Sequence, residues 1–167
     1  MIILGIDPGT ATTGYGVIRK RKNRLETLDY GCILTSPSSP PSERLKKINN
    51  DLNLLIKKHK PNILAVEKLY FFKNLKTAMP VSQAKGVILL TAAKKKIPVH
   101  EFTPLEVKMA VSGYGRAEKK QVQKLIQTIL KLEENPEDKN RRKDDATDAL
   151  GVALCYAVKT DGKVKLS

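Results

Sequence analysis

Two short apolar runs, each closed by an acid, constrain this chain most. Met1-Ile2-Ile3-Leu4-Gly5-Ile6 ends at Asp7, and Asn62-Ile63-Leu64-Ala65-Val66 ends at Glu67. A strand that is apolar at successive positions must be covered on both faces, which points to a sheet with helices on either side. Such α/β sheets place their ligands at the carboxyl ends of parallel strands. If these two strands lie parallel and adjacent, Asp7 and Glu67 emerge together at one edge.

The remaining segments agree with that architecture. Gly14 to Ile18 and Leu25 to Leu34 read as strands around the charged turn Lys20-Arg21-Lys22-Asn23-Arg24. Two short connections in a row imply an antiparallel meander. Ser36 to Pro41 reads as a loop, and Ser42 as the cap of a helix with Leu45, Ile48, Leu52, Leu55 and Ile56 on one face. Thr77 to Lys96 reads as a long helix with Pro80 in its first turn, and Ile97 to Phe102 as a strand. Thr103-Pro104 opens a short helix ending at Gly113; Glu118 to Leu132 and Asp144 to Val158 read as two more, around a polar loop over 133–143. The expected fold is a mixed five-stranded sheet, a three-strand meander plus parallel strands, with helices on both faces. Residues 1–158 form the expected single domain, and 159–167 a frayed tail.

The last helix adds two more acids. Asp145 and Asp148 are three residues apart and project from nearly the same side. At about 100° per residue, Ala146, Ala149, Leu150, Ala153 and Ala157 form one stripe. Asp145 and Asp148 border that stripe and can face the sheet edge, whereas Asp144 points to solvent. Each acid alone is an ordinary helix cap, turn residue or ion-pair partner.

Their setting makes the combination informative. Lys and Arg total 31 against 17 Asp and Glu, a net charge of +14. Such an excess points to nucleic acid first and an anionic membrane surface second. Carboxylate oxygens suit Mg²⁺, and two close metals can hold the attacking and leaving oxygens of a phosphodiester. A basic surface around an acidic metal site is the charge layout of a nuclease. The strand-Asp-Pro-Gly-Thr segment also resembles the first phosphate loop of actin-like ATPases, but no second such loop follows. Cys32 and Cys155 have no metal-ligand spacing and read as reduced thiols. The first apolar run lacks a basic leader and breaks at Asp7, so it reads as a strand rather than a signal peptide. No run approaches the ~20 residues of a membrane span, and a cytoplasmic protein is expected.

Six segments then converge on one family. Ile3 to Gly9 followed by Thr13 to Ile18, Glu67-Lys68-Leu69-Tyr70 with Asn74, and Gln83 to Val87 are the first three. Pro104 to Lys108, Gly115 to Val122 and Asp145 to Leu150 complete the set. In order and spacing they resemble RuvC-type Holliday junction resolvases. The resemblance implies a ribonuclease H-like fold and a homodimer that nicks two opposing strands of a four-way DNA junction. It places Asp7, Glu67, Asp145 and Asp148 on catalytic, metal-binding acids, with Mg²⁺ as cofactor, two per site, and Mn²⁺ as a substitute. Lys108 and Lys119 fall on basic positions near the cleaved strand, with Arg116 and Lys120 beside them as DNA contacts. Tyr70 falls where the family often has Phe at the junction's centre. A branch-migration helicase complex is the implied partner. A ribonuclease H-like nuclease of structured RNA and a non-catalytic junction-binding module remain the alternatives.

Four local features bear on that expectation. Lys119-Lys120 open a helix, where cations oppose the dipole unless an anion lies nearby. Arg141-Arg142-Lys143 precede the last helix and could grip DNA backbone. Tyr70-Phe71-Phe72 cannot all enter one core, so an exposed ring is expected there, suited to base stacking. The helix from Thr77 is apolar around much of its circumference, through Val87, Ile88, Leu89, Leu90, Ala92 and Ala93. A second copy of the chain would bury the surplus.

Overall fold

The computed structural model describes residues 1–22, 24–69, 75–132 and 143–160, with backbone alone for 75–77 and 143. The strands are β1 (Ile2–Asp7), β2 (Thr12–Arg21), β3 (Arg24–Leu34), β4 (Ile63–Glu67) and β5 (Val99–Phe102). The helices are α1 (Pro41–His59), α2 (Leu75–Lys94), α3 (Pro104–Ser112), α4 (Lys119–Ile129) and α5 (Lys143–Lys159). The sheet order is β3-β2-β1-β4-β5. β1 pairs antiparallel with β2 and parallel with β4; β2 pairs antiparallel with β3, and β4 parallel with β5. This is the expected mixed sheet.

The period-two alternation of the central strands splits the core into two layers. Leu4, Ile6, Leu64 and Val66 pack with Ile48, Leu52 and Ile56 of α1 and Ala84, Ile88 and Ala92 of α2. Ile3, Ile63 and Ala65 face the other way, against α5 and the α3 and α4 residues Val107, Val111, Val122 and Ile126. The same alternation carries Asp7 and Glu67 to the α5 side. The register aligns Ile6 with Val66, so the two acids follow one another across adjacent strand ends.

α5 lies unusually close to the sheet. Gly5 and Gly14 face it, and a Cβ at Gly14 would collide with the Asp145 carbonyl, while one at Gly5 would strike the Ala149 carbonyl and, at 2.8 Å, the Ala153 Cβ. Gly14 is also the residue paired with Asp7 across β1 and β2. Small residues on the helix, Ala146, Ala149 and Ala153, match those on the strands, and all three are fully or almost fully buried. That close approach brings the first turn of α5 to the acidic strand ends.

Element boundaries depart from expectation at several ends. α1 begins at Pro41, not after a Ser42 cap: proline's fixed φ suits the first helical position, and the Pro40 carbonyl accepts the first helical bond from Arg44. α2 begins at Leu75, which places Pro80 in its second turn, not its first. Lys20, read from sequence as part of a charged turn, belongs to β2 and is buried; its Nζ donates to the Ala157 carbonyl at 2.6 Å and to Thr160 Oγ1 at 3.2 Å. Lys159 ends α5 and pairs with Glu106 rather than opening a loose tail; residues 161–167 lie outside those described. Cys32 is half-buried and Cys155 buried.

Candidate active site

The loop after β1 is fixed before any ligand arrives. Thr13 Oγ1 donates to the Gly9 carbonyl at 2.6 Å, and Thr35 Oγ1 donates to the Thr10 carbonyl at 2.5 Å. Arg44 Nε of α1 donates in turn to Thr35 Oγ1 at 2.8 Å. Together these bonds tie the Pro8–Ala11 turn to β3 and α1, and so set the direction in which Asp7 leaves the sheet.

Asp7, Asp145 and Asp148 meet at this edge, each offering a carboxylate oxygen within 4.8 Å of the others. Glu67 joins them through a side-chain hydrogen bond with Asp7. Asp144 is exposed, as its place on the helix wheel requires. Burial pushes the Asp7 carboxyl well above the usual range, and the charges of Glu67, Asp148 and Asp145 push it further. Burial also raises Glu67; its bond with Asp7 and the nearby Lys119 charge pull it down, Asp148 pushes it up, and the balance is upward. Both carboxyls of the pair are thus held above the ordinary range, chiefly by burial.

Helix α4 supplies the counterweight. Lys119 Nζ lies 2.7 Å from Asp148 Oδ2, and Gln123 Nε2 donates to Asp148 Oδ1 at 2.9 Å. Burial disfavours the charge on Lys119, but its bond with Asp148 and the fields of Asp148, Asp7 and Asp144 outweigh that and raise its pKa. The cation expected to sit badly at a helix start thus has its anion within the protein. Gln123 was invisible from sequence: a glutamine amid Lys119-Lys120-Gln121-Val122 looks solvated, yet it is 8% exposed.

Other expected contacts are more scattered. Arg116 and Lys120 are exposed, one just before α4 and one in its first turn, while Lys108 is half-buried on α3. Tyr70, Phe71, Phe72 and Asn74 lie outside the described residues, as do Arg141, Arg142 and the Lys143 side chain.

The donor set is all carboxylate oxygen, which suits a hard divalent cation such as Mg²⁺ better than zinc or copper. Four acids within one pocket, one of them driven toward protonation, leave the site short of positive charge. A cation held by Asp7, Asp145 and Asp148 would remove that deficit.

The family of crossover junction endodeoxyribonuclease RuvC matches residues 3–156. The chain belongs to the RuvC family. RuvC of Pelotomaculum thermopropionicum is 50% identical over 157 residues, covering 94% of this chain and 93% of that one. RuvC of Moorella thermoacetica is 52% identical over 157 residues, covering 94% and 91%. Among solved structures, T. thermophilus RuvC in complex with Holliday junction substrate superposes with a TM-score of 0.86 at 31% identity, covering 98% of this chain and 97% of that one. The RuvC fold and the acidic edge thus coincide in one molecule. Among the described residues, no helix is long and apolar enough to cross a membrane.

Proposed function

We propose that this chain is a structure-selective, metal-dependent endonuclease that resolves four-way (Holliday) DNA junctions by paired nicks in opposing strands. The observation that carries the reading is the convergence of Asp7, Glu67, Asp145 and Asp148 at one sheet edge of a chain with net charge +14. Family membership supports the substrate.

In this reading Asp7, Asp145 and Asp148 hold Mg²⁺, with Glu67 beside them, and Mn²⁺ substitutes. Two such ions would activate the attacking water and stabilise the leaving oxygen of an in-line displacement. The protein's own groups do the positioning. β1 and β4 fix Asp7 and Glu67 on strand ends, and α5 fixes the other two on a rigid first turn. Burial raises both Asp7 and Glu67 in the metal-free site, and a bound cation would favour their ionised forms. Lys119, 62% exposed, neutralises Asp148 and can swing toward a scissile phosphate. Arg116, Lys120 and Lys108 grip the flanking backbone, and Tyr70 stacks at the junction's centre.

Paired cuts need two sites. α2 exposes Met79, Gln83, Gly86, Leu90 and Ala93 along one face, with Met79 71% and Leu90 56% accessible and open space above Gly86. Positions i, i+4, i+7, i+11 and i+14 form a continuous stripe. We assign this stripe to a two-fold contact with a second copy. Leu89 is half-buried, so Leu90→Glu is the substitution that splits the homodimer and leaves single nicks. A branch-migration helicase complex is the partner assigned to the remaining surface.

The test is cleavage of a synthetic four-way DNA junction, a linear duplex of the same sequence and an RNA junction, each with and without Mg²⁺. Paired symmetric nicks in the DNA junction alone, only with Mg²⁺, are expected. Cleavage confined to the RNA junction would assign the site to RNA processing; tight junction binding without cleavage would make it a binding module.

A further inference from the structure

Asp148 is clamped from outside the acidic cluster, and the two jaws differ in kind. Lys119 and Gln123 stand four residues apart on α4, so they lie on one helical face and reach the same carboxylate. Lys119 takes Oδ2 at 2.7 Å and Gln123 takes Oδ1 at 2.9 Å. Each carboxylate oxygen has two lone pairs. One on each oxygen is thus committed to α4, and the other is left toward Asp7 and Asp145.

The lysine is a mobile jaw. It is 62% exposed, and its charge competes with any cation that enters. The glutamine is a fixed jaw. It is 8% exposed, between the buried Val122 and Ile126, and carries no charge. A buried amide costs free energy unless it is hydrogen-bonded, so the bond to Asp148 is also what lets Gln123 occupy that position. A lysine here would repel the metal, and a glutamate would add another negative charge to a cluster already driven toward protonation. A neutral donor holds Asp148 in place whether or not a cation is bound.

We propose that Gln123 is the positioning residue for Asp148, presenting its carboxylate to the divalent metal in the one orientation that also meets Asp7 and Asp145. This rests on the reading of the acids as the metal site. Gln123 makes no contact with the substrate in this role; it acts through Asp148. Partners that orient a metal ligand from behind are worth ~10–100-fold in metal affinity when removed.

The test measures Mn²⁺ binding to the metal-site protein without DNA, by the electron paramagnetic resonance signal of the free ion. Wild type, Gln123→Met, which keeps the volume and removes the donor, and Gln123→Asn, which shortens its reach by a methylene, are compared. Both variants should bind Mn²⁺ ~10–100-fold more weakly. The half-saturating Mg²⁺ for junction cleavage should rise in parallel, with most of the rate recovered at high Mg²⁺. In wild type, saturating Mg²⁺ should shift the Gln123 side-chain amide resonances and leave those of Gln121 and Gln127 unmoved. This last readout needs no variant. Unchanged Mn²⁺ affinity in a folded variant, or a silent Gln123 amide on metal addition, would overturn the proposal and reduce Gln123 to packing. Failure of wild type itself to bind Mn²⁺ would overturn the metal-site reading instead.

Discussion

The two ends of α5 solve opposite problems. At its start, Asp145 and Asp148 are pressed against Asp7 and Glu67, and like charges crowd into a half-buried pocket. At its end, polar groups meet partners of matching kind. Lys20 donates to the Ala157 carbonyl, Thr160 Oγ1 donates to the Tyr156 carbonyl at 2.9 Å, and Lys159 pairs with Glu106, which also closes the capping box of α3 with Thr103. Lys159 also lies 5.3 Å from the centre of the Phe102 ring. One helix thus carries a destabilised end and a well-anchored one. The anchored end holds α5 on the sheet, so that the charge repulsion at the other end cannot simply push the helix away.

The two ends should therefore fail differently. The largest effect is expected at the acids. Asp7→Asn should lower junction cleavage by ~10³-fold or more, since a metal ligand supplies several kcal/mol of transition-state stabilisation. Junction binding should hold or tighten, because a negative charge facing phosphate is lost. A gel-shift titration beside a cleavage assay separates the two. Asp144→Asn should be mild; if it were inactive and Asp145→Asn active, the assigned helix face would be wrong.

Gly14→Ala tests whether the close approach of α5 is what assembles the site. The added methyl must displace the Asp145 backbone, and overpacking of this kind costs ~1–3 kcal/mol. Both melting temperature and cleavage should fall, and high Mg²⁺ should restore part of the cleavage but not the stability. A variant with full activity at ordinary Mg²⁺ would show that α5 can sit farther from the sheet and still function.

Lys20→Met acts on the anchored end. Loss of its charge-assisted bonds should cost ~1.5–3 kcal/mol, read as a lower melting temperature. Cleavage at 25 °C and its Mg²⁺ dependence should be unchanged. A shifted Mg²⁺ requirement would mean that the two ends are coupled.

The smallest effect concerns pH, and its sign differs between the ends. The bond with Lys159 and those with Thr103 hold the Glu106 carboxyl down to about 2. A depressed carboxylate stabilises the fold above its ordinary value of 4.5 and loses that contribution as pH falls toward 2. The Glu106 side chain is 38% exposed, so solvent screens the pair, and Glu106→Gln should cost well under ~1 kcal/mol and flatten only the acid side of the stability profile. Asp7 and Glu67 are raised, so they favour the metal-free fold below the ordinary carboxylate range, and that contribution is lost as pH rises through their elevated values. Thermal melts from acid to neutral pH, without metal, resolve both slopes.

These contrasts also show what the sequence could reveal. The acid that closes each apolar run placed Asp7 and Glu67 at one sheet edge, because neighbouring parallel strands end on the same side; the face they take was set only by the register of β1 with β4. The helix wheel separated Asp145 from Asp144 because the alanine stripe of α5 had only one sheet to face. Lys20 and Gln123 were not legible. A lysine beside Arg21 and Lys22 has the local signature of a solvated turn, and a glutamine in a polar helix start has that of an exposed surface. Both are buried by partners 137 and 25 residues away in sequence, and no local period encodes such a pairing. The homodimer face shows an intermediate case. Apolar content predicted surplus surface on α2, but only the fold distinguished exposed Leu90 from half-buried Leu89.

The central claim is that the start of α5 gives up stability to keep a metal site charged. Its most direct test is the melting temperature of wild type and Asp7→Asn at neutral pH, each with and without Mg²⁺. Without metal, Asp7→Asn should melt higher than wild type, by ~2–4 °C for each kcal/mol of relieved repulsion and burial. Saturating Mg²⁺ should raise the wild type by mass action and leave the variant nearly unmoved. A metal-free variant less stable than wild type, with an equal Mg²⁺ response in both, would contradict the account.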